Sequence, residues 1–242
     1  MLITEVVDGL DYAPDHPELL GKRILITGIK GALGIEIARA FSEARTRVVL
    51  HAVEEGPETV ALGELVAAHA MDVRLFTGSF ADNQATLEFA RSAIQAFGGI
   101  DVVINIVEVG SPPAGANAAH IERCVTELLS VPFLVTKVAA NRMRTTLTQG
   151  TILNIVTIER GASATTRLLG AIARSALGGV TRTEAQAAAS AGIRINAIAP
   201  AATLAERGGQ ISGDPDIATL ALHLASPKSE QLSGLVFEAC FG

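Results

Sequence analysis

The chain has 242 residues, of which 49% are hydrophobic and 4% aromatic, and its formal net charge is −6. This length is enough for one large domain with an aliphatic core. The mild acidity argues against a nucleic-acid partner, and the lack of a signal peptide and of roughly 18 continuous apolar residues predicts a cytoplasmic protein without a membrane partner. Cys124 and Cys240 have no metal-ligand spacing, so we expect two buried free thiols and no metal site.

Residues 1–21 form a polar leader, which we expect to be an arm on the surface or partly disordered. A glycine-rich turn follows the first predicted strand. The apolar run from Ile24 to Ile26 ends at Thr27, and three glycines then recur at three-residue spacing, at positions 28, 31 and 34. Glycine tolerates positive φ and lets a phosphate approach the backbone, while a helix start favours an anion. The segment therefore predicts a binding site for the pyrophosphate of a dinucleotide.

Strands and helices alternate along the rest of the chain. Strands are predicted near 24–27, 47–51, 72–76, 101–107, 151–156, 193–198 and 234–238, and helices near 32–44, 57–70, 82–97, 117–144, 168–190 and 214–225. Several strand-like runs are apolar throughout, which is typical of parallel strands covered on both faces. Residues 22–242 are thus predicted to form a single α/β domain, a three-layer, doubly wound parallel sheet of about seven strands, the Rossmann fold.

From about residue 22 to 242 the sequence resembles the short-chain dehydrogenase/reductase family. Beyond the glycine turn, the resemblance is carried by segments in the family's order: Asp101 to Asn105, Gly150 to Thr157, Ala176 to Thr181, Ile193 to Pro200, Asp214 to Ala218, and Ser233 with Gly234. It implies an oxidoreductase that uses NAD or NADP, a small carbonyl or alcohol substrate, and a homo-oligomer, either a dimer or a tetramer. The implied cofactor site comprises Gly28, Ile29, Lys30, Gly31, Leu33, Gly34, His51, Ser79, Asn105 and Pro200.

Several of these positions leave alternatives open. Lys30 meets the pyrophosphate or a 2′-phosphate, or it is a solvated lysine. His51 lies near the adenosine, or it is a surface or rim residue. Ser79 replaces the Asp that meets adenine in the family, while the nearby Asp82 takes over that role or caps a helix. Neither Asp nor Arg follows the second strand, so the sequence does not decide between NAD and NADP. Glu108 falls near the nicotinamide position, and we expect it to point to solvent.

The family's catalytic groups are largely replaced. With Thr157 at the family's Ser position, Gly170 stands at the Tyr position, Arg174 at the Lys position and Leu128 at the Asn position. The only tyrosine, Tyr12, lies in the leader. Thr157 and Arg174 are then remnants of a catalytic set. The loop after Pro200, at 202–213, is also shorter than the family's substrate lid.

Two functions follow as hypotheses. A divergent reductase would need a substitute acid, for which Thr157, Glu159 and Arg167 are the candidates. A non-catalytic family member, or pseudoenzyme, would bind the dinucleotide with lost or much reduced activity and serve as a scaffold or as a subunit paired with an active relative. The simultaneous loss of Tyr, Lys and Asn favours the second, although the resemblance itself implies an oxidoreductase.

Overall fold

A computed structural model of the protein describes residues 16–80, 82–110, 118–158, 162–200 and 211–240. Its strands are β1 (Arg23–Ile29), β2 (Arg47–Ala52), β3 (Asp72–Thr77), β4 (Val102–Val109), β5 (Thr151–Ile158), β6 (Arg194–Pro200), β7 (Ile211–Ser212) and β8 (Val236–Cys240). Its helices are α1 (Gly31–Glu43), α2 (Pro57–Ala67), α3 (Asn83–Gln95), α4 (Ala118–Thr145), α5 (Ala164–Ala188) and α6 (Asp214–Ala225).

The strands within these residues form one sheet in the order β3-β2-β1-β4-β5-β6-β8-β7, and every pairing is parallel. The direction of winding reverses between β1 and β4, where α/β sheets bind ligands beyond the carboxyl ends of their strands. The predicted doubly wound sheet is confirmed. The two-residue strand β7 was not predicted, because so short a segment has no periodicity to read.

Side chains of the central strands alternate between the two faces of the sheet, with the first core on one face and the second core, beside a smaller cluster that includes Leu128 and Val156, on the other. Ile24 and Ile26 of β1 pack with α1, α2 and α6, whereas Leu25 between them packs with α3, α4 and α5. Because successive side chains of a strand point to opposite faces, a strand in the middle layer is apolar at most of its positions on both faces. This is why the central runs do not alternate.

The largest difference between the observed and the predicted helix bounds is at the beginning of α5. α5 begins at Ala164 rather than near 168, because the Ser163 side chain caps it by accepting a hydrogen bond from the Thr166 amide.

The described part of the leader packs at the other end of the sheet. Leu19 is 1% exposed and belongs to the first core. Residues 16–21 therefore pack against the domain.

Among the residues that the structure describes, one helix segment is long and apolar enough to span a membrane by length and composition. This segment, Cys124–Thr145 of α4, has a mean hydropathy of 1.2 and is 33% buried. Its inner side chains, including Val135, Ala139 and Met143, are in the second core with residues of β4 and α3. The apolar side of the segment therefore packs in the core of this domain. Core helices often pass the same test of length and hydropathy.

Candidate functional site

The glycine turn joins β1 to α1 at the carboxyl end of the sheet. Gly28 has φ +73° and Gly31 has φ +67°, a region that L side chains rarely adopt. A Cβ on Gly28 would lie 2.0 Å from the carbonyl oxygen of Ile106, so β4 comes too close for any side chain there. A Cβ on Gly31 would meet no atom within 4 Å. The turn therefore leaves open space beside its backbone at Gly31.

Helix α1 starts directly at this open space. It begins at Gly31, and the N-cap residue Lys30 makes no side-chain capping hydrogen bond. The first amides of a helix have no partner within the helix, so they can bind an anion. Gly34 holds this helix end against β1, because a Cβ there would lie 2.9 Å from Cγ2 of Ile29. The arrangement suits a phosphate group at the start of α1.

A cavity of about 260 Å³ lies where the winding of the sheet reverses. Residues at or just after the ends of β1, β2, β3 and β4 line it, together with side chains of α4 and α5. Of the residues predicted from sequence, the cavity brings together Gly28, Lys30, His51, Ser79, Asn105 and Leu128. It does not include Ile29, Gly31, Leu33, Gly34 or Pro200.

The predicted cofactor residues outside the cavity wall have other places. The side chains of Ile29 and Leu33 are buried in the first core. Pro200 is the last residue of β6 and pairs with Ala239 of β8. Most of the predicted short lid, 202–213, lies outside the described residues, and its residues Ile211 and Ser212 form strand β7 rather than loop.

A buried hydrogen-bond network crosses the floor of the cavity. The Thr27 hydroxyl donates to Oδ1 of Asn105 at 3.0 Å, and Nδ2 of Asn105 donates to Oδ1 of Asn154 at 2.8 Å. The Thr136 hydroxyl, from α4, lies within 3.4 Å of the same oxygen of Asn154. All four side chains are buried. Asn105 therefore ties β1, β4, β5 and α4 together beneath the cavity.

The alternatives left open by the sequence have structural answers in three cases. His51 is 2% exposed, so it is not a surface residue. Asp82 caps α3 by accepting a hydrogen bond from the Ala85 amide at 2.8 Å. Glu108 is half-buried in the cavity wall, and the expectation that it points to solvent is wrong.

Two other side chains at the cavity differ in how they are held. The Lys30 side chain is 55% exposed, and its Nζ lies 3.9 Å from a carboxylate oxygen of Glu54. Cys124 is a free, half-buried thiol in the cavity wall, so the expectation that it is buried is wrong. The side chain of Cys240 lies outside the described residues.

The positions assigned to catalysis lie along β5, α4 and α5. Thr157 is 8% exposed and sits opposite Glu108 in the register between β5 and β4. Gly170 is buried, and a Cβ there would lie 3.6 Å from Cγ2 of Ile158. Leu128 is 7% exposed, in the cavity wall.

The charged candidates near these positions are already engaged. The Arg174 guanidinium forms an ion pair with Glu238 of β8. Arg167 donates to the carbonyl oxygen of Ala162 at 2.6 Å. Glu159 and Tyr12 lie outside the described residues.

Comparison with known proteins places this geometry in a family. The model of the short chain dehydrogenase family matches residues 22–215, about four-fifths of the chain. The chain belongs to the short chain dehydrogenase family. Members of this family bind NAD or NADP, as the resemblance implied.

Individual relatives are distant. An uncharacterized oxidoreductase of Thermotoga maritima is 28% identical over 192 residues, which are 77% of this chain and 73% of that protein. Glucose 1-dehydrogenase 2 of Bacillus subtilis is 27% identical over 191 residues, or 76% of this chain and 73% of that protein. The structure of an NADH-dependent reductase complexed with NAD has a TM-score of 0.76 at 20% identity and covers 92% of this chain and 96% of that one. That likeness shows the fold.

Sequence reasoning missed three side chains that shape the site. Phe80 lines the cavity and stacks on His51, and Glu238 pairs with Arg174. Pro132 lies inside α4, where it has no amide hydrogen to donate to the carbonyl of Leu128, four residues earlier. The proline was visible in the sequence. The two other contacts join residues of separate elements, so no local pattern indicates them.

Proposed function

We propose that this short chain dehydrogenase family member binds a nicotinamide dinucleotide and has lost, or retains very little of, the family's oxidoreductase activity. The observation that carries the proposal is Gly170, which stands at the assigned Tyr position, is buried beside Ile158 and offers no proton. Arg174, at the assigned Lys position, is held by Glu238 instead of being available to a ribose or a substrate.

The residues at the cofactor end fit a dinucleotide. The open space at Gly31, the uncapped start of α1 and the adjoining cavity together suit a pyrophosphate with its attached groups. A relative of the same fold, the NADH-dependent reductase, is complexed with NAD in its structure. We therefore propose that Gly31 and the first amides of α1 hold the pyrophosphate.

The catalytic end does not fit the family's proton chemistry. A bound nicotinamide dinucleotide gives or takes a hydride. Reduction of a carbonyl also needs a proton at its oxygen, and neither Gly170 nor Leu128 has one to give. A positioned general acid contributes about 10²–10⁴ in rate, which is roughly 3–5 kcal/mol of barrier. The remaining hydroxyl, on Thr157, can orient a substrate but lacks the lysine that would make it acidic.

Binding and turnover are tested separately. Melting temperature is measured with saturating NAD⁺, NADH, NADP⁺ and NADPH, and a ligand at 100 times its Kd should add about 2.7 kcal/mol of stability. Turnover is then followed at high protein concentration with a panel of carbonyls and alcohols. We expect stabilisation by at least one cofactor without turnover. No shift with any of the four would overturn the binding proposal, and turnover near that of active relatives would overturn the loss of activity.

A second candidate is a divergent active enzyme, and one observation favours it. Glu108 lies in the cavity wall, opposite Thr157 in the strand register, so a carboxyl group and a hydroxyl group are neighbours at the catalytic end. On this proposal Glu108 gives the proton that Tyr gives in the family. Turnover that is found in the wild type and lost in Glu108→Gln, with cofactor affinity kept, would support it.

We also propose that the protein assembles through α5, with itself or with an active relative. Leu168 and Ile172 are 62% and 48% exposed and lie one helical turn apart. Neighbouring exposed apolar side chains of this kind are typical of a helix face that a partner protein covers. Light scattering should give a multiple of 25.0 kDa, and Leu168→Lys should lower it. As a control, Leu147→Lys alters a leucine in the turn after α4 that is 90% exposed. A monomer with no partner recovered from the native host would contradict both forms of assembly.

A further inference from the structure

His51 is a buried histidine whose two ring nitrogens join two turns of the site. It lies on β2 and is 2% exposed. Its Nδ1 accepts a hydrogen bond from the Gly28 amide at 3.2 Å, and its Nε2 lies 2.8 Å from the carbonyl oxygen of Gly78. An amide N–H only donates and a carbonyl only accepts, so Nδ1 is bare and Nε2 carries the hydrogen. The two contacts thus fix both the tautomer and the neutral charge state of the ring.

Aromatic rings cover the faces of this imidazole. Phe80 stacks on it with the ring centres 4.6 Å apart and an angle of 15° between the planes, and the centre of Phe89 is 4.7 Å away. Phe80 follows Gly78 in the loop after β3, and both Phe80 and Gly28 line the cavity. His51 therefore connects the cofactor turn after β1 to the cavity wall formed after β3.

The charged groups on the surrounding elements contact groups other than the imidazole, although the contact of Lys30 is loose. In the turn after β1, Lys30 pairs with Glu54 from the segment after β2. Glu55 of that segment accepts a hydrogen bond from Thr77 of β3. On the α3 side, Asp82 caps the helix and Glu88 bonds to Gln84. Among the described residues, none of these carboxylates makes a hydrogen bond to the imidazole.

We propose that His51 is a positioning residue: its neutral ring holds the glycine turn and the β3 loop in the arrangement that binds the dinucleotide, and its protonation releases that arrangement. The proposal rests on the proposed cofactor binding. A proton on Nδ1 would set two donors, the ring N–H and the Gly28 N–H, against each other at the present distance. The turn would have to move, and Phe80, stacked on the ring, would lose its support in the cavity wall.

Burial favours the same neutral charge state. Burial lowers the pKa of His51 below its usual value, and the contact with the Gly78 carbonyl opposes this in part. The unfolded chain binds a proton at this histidine near pH 6.5, while the folded chain binds it only at lower pH. The stability that depends on neutral His51 is therefore complete above about pH 6.5 and is lost as the pH falls below it.

Titration calorimetry with NAD⁺ at several pH values tests the proposal. The wild type should bind at least about fivefold more weakly at acidic pH than at neutral pH, the size expected for one lost hydrogen bond. His51→Asn retains an acceptor for the Gly28 amide but has no titratable ring, so its affinity should stay within about threefold of neutral wild type at every pH. His51→Leu removes both contacts and should bind weakly throughout. His223→Asn, at an exposed histidine of α6, should follow the wild-type profile.

The outcomes separate the two proposals. If the wild type binds NAD⁺ equally well at acidic and neutral pH, or if His51→Asn keeps the wild-type decline, the role of His51 is overturned while cofactor binding stands. If no cofactor binds at any pH, both proposals fail. If His51→Asn does not fold, ¹⁵N NMR of the wild-type imidazole decides, since a hydrogen on Nδ1 at neutral pH would overturn the role of His51 and a hydrogen on Nε2 alone, with weaker NAD⁺ binding as the ring protonates, would support it.

Discussion

The proposed cofactor end and the proposed catalytic end differ in how well their residues fit the family's chemistry. At the cofactor end, glycines with positive φ, close strand contacts and a helix start combine into a site for an anion. At the proposed catalytic end, β5 and α5 are in place, but Gly170 and the ion-paired Arg174 stand at the positions assigned to the family's Tyr and Lys. The backbone that holds a cofactor also holds the fold, so it persists, whereas side chains that only move protons can change without loss of the domain.

The largest expected change in stability comes from a comparison of one glycine at each end. Gly28→Ala should destabilise the protein by at least about 3 kcal/mol, because it adds strain at positive φ and a clash with the carbonyl oxygen of Ile106. Gly170→Ala should be neutral or stabilise by up to about 1 kcal/mol, because its Cβ makes an ordinary contact in a helix. Urea denaturation of both variants measures this. Equal losses at the two sites would contradict the contrast.

The network beneath the cavity should give the next largest effect. Asn105→Ala leaves the Thr27 hydroxyl without its acceptor and removes the shorter of two hydrogen bonds to Oδ1 of Asn154, at a cost of about 2–3 kcal/mol of unfolding free energy. Asn141→Ala is the matched control on the exposed side of α4 and should change stability by less than about 0.5 kcal/mol. A similar small change in stability in both variants would mean that the network does not stabilise the packing of β1, β4, β5 and α4.

A substitution of Lys30 tests which phosphate of the cofactor this residue contacts. The lysine is largely exposed and only loosely paired with Glu54 at 3.9 Å, so it is available to a phosphate. Lys30→Ala should weaken NADP⁺ binding about fivefold and NAD⁺ binding less, since only NADP⁺ adds a 2′-phosphate. Calorimetry with both cofactors gives the ratio. An equal loss for the two would assign Lys30 to the pyrophosphate instead.

The smallest effect is expected at the catalytic end. The side chains of Arg174 and Glu238 are 28% and 41% exposed, so Glu238→Gln should cost less than about 1 kcal/mol of stability. It should not create turnover, because releasing the guanidinium supplies no acid at position 170. Thermal denaturation and the carbonyl panel check the two statements. Turnover gained in Glu238→Gln would show that the ion pair alone suppresses the activity.

Much of this molecule could be predicted from its sequence, for reasons specific to each element. Largely apolar runs such as Val102 to Val107 indicated central parallel strands, and the glycine spacing located the turn at the sheet's reversal point. Glu108 was misplaced because exposure depends on what packs opposite a side chain, here residues of α4 and α5 across the cavity. Cys124 was misplaced for the same reason. The beginning of α5 shifted because one capping side chain, Ser163, outweighed the apolar periodicity.

The sequence by itself determined the doubly wound fold, the glycine turn and the absence of Tyr and Lys from the assigned catalytic positions, because each depends on residue type and local spacing. Only the tertiary structure decided that His51 is buried between Gly28 and Gly78, that Asn105 is bonded to three neighbouring elements, and that Arg174 is paired with Glu238. Each of these contacts joins residues at least 23 positions apart. Their energies depend on distance and burial, which the chain acquires only when the sheet and its helices are assembled.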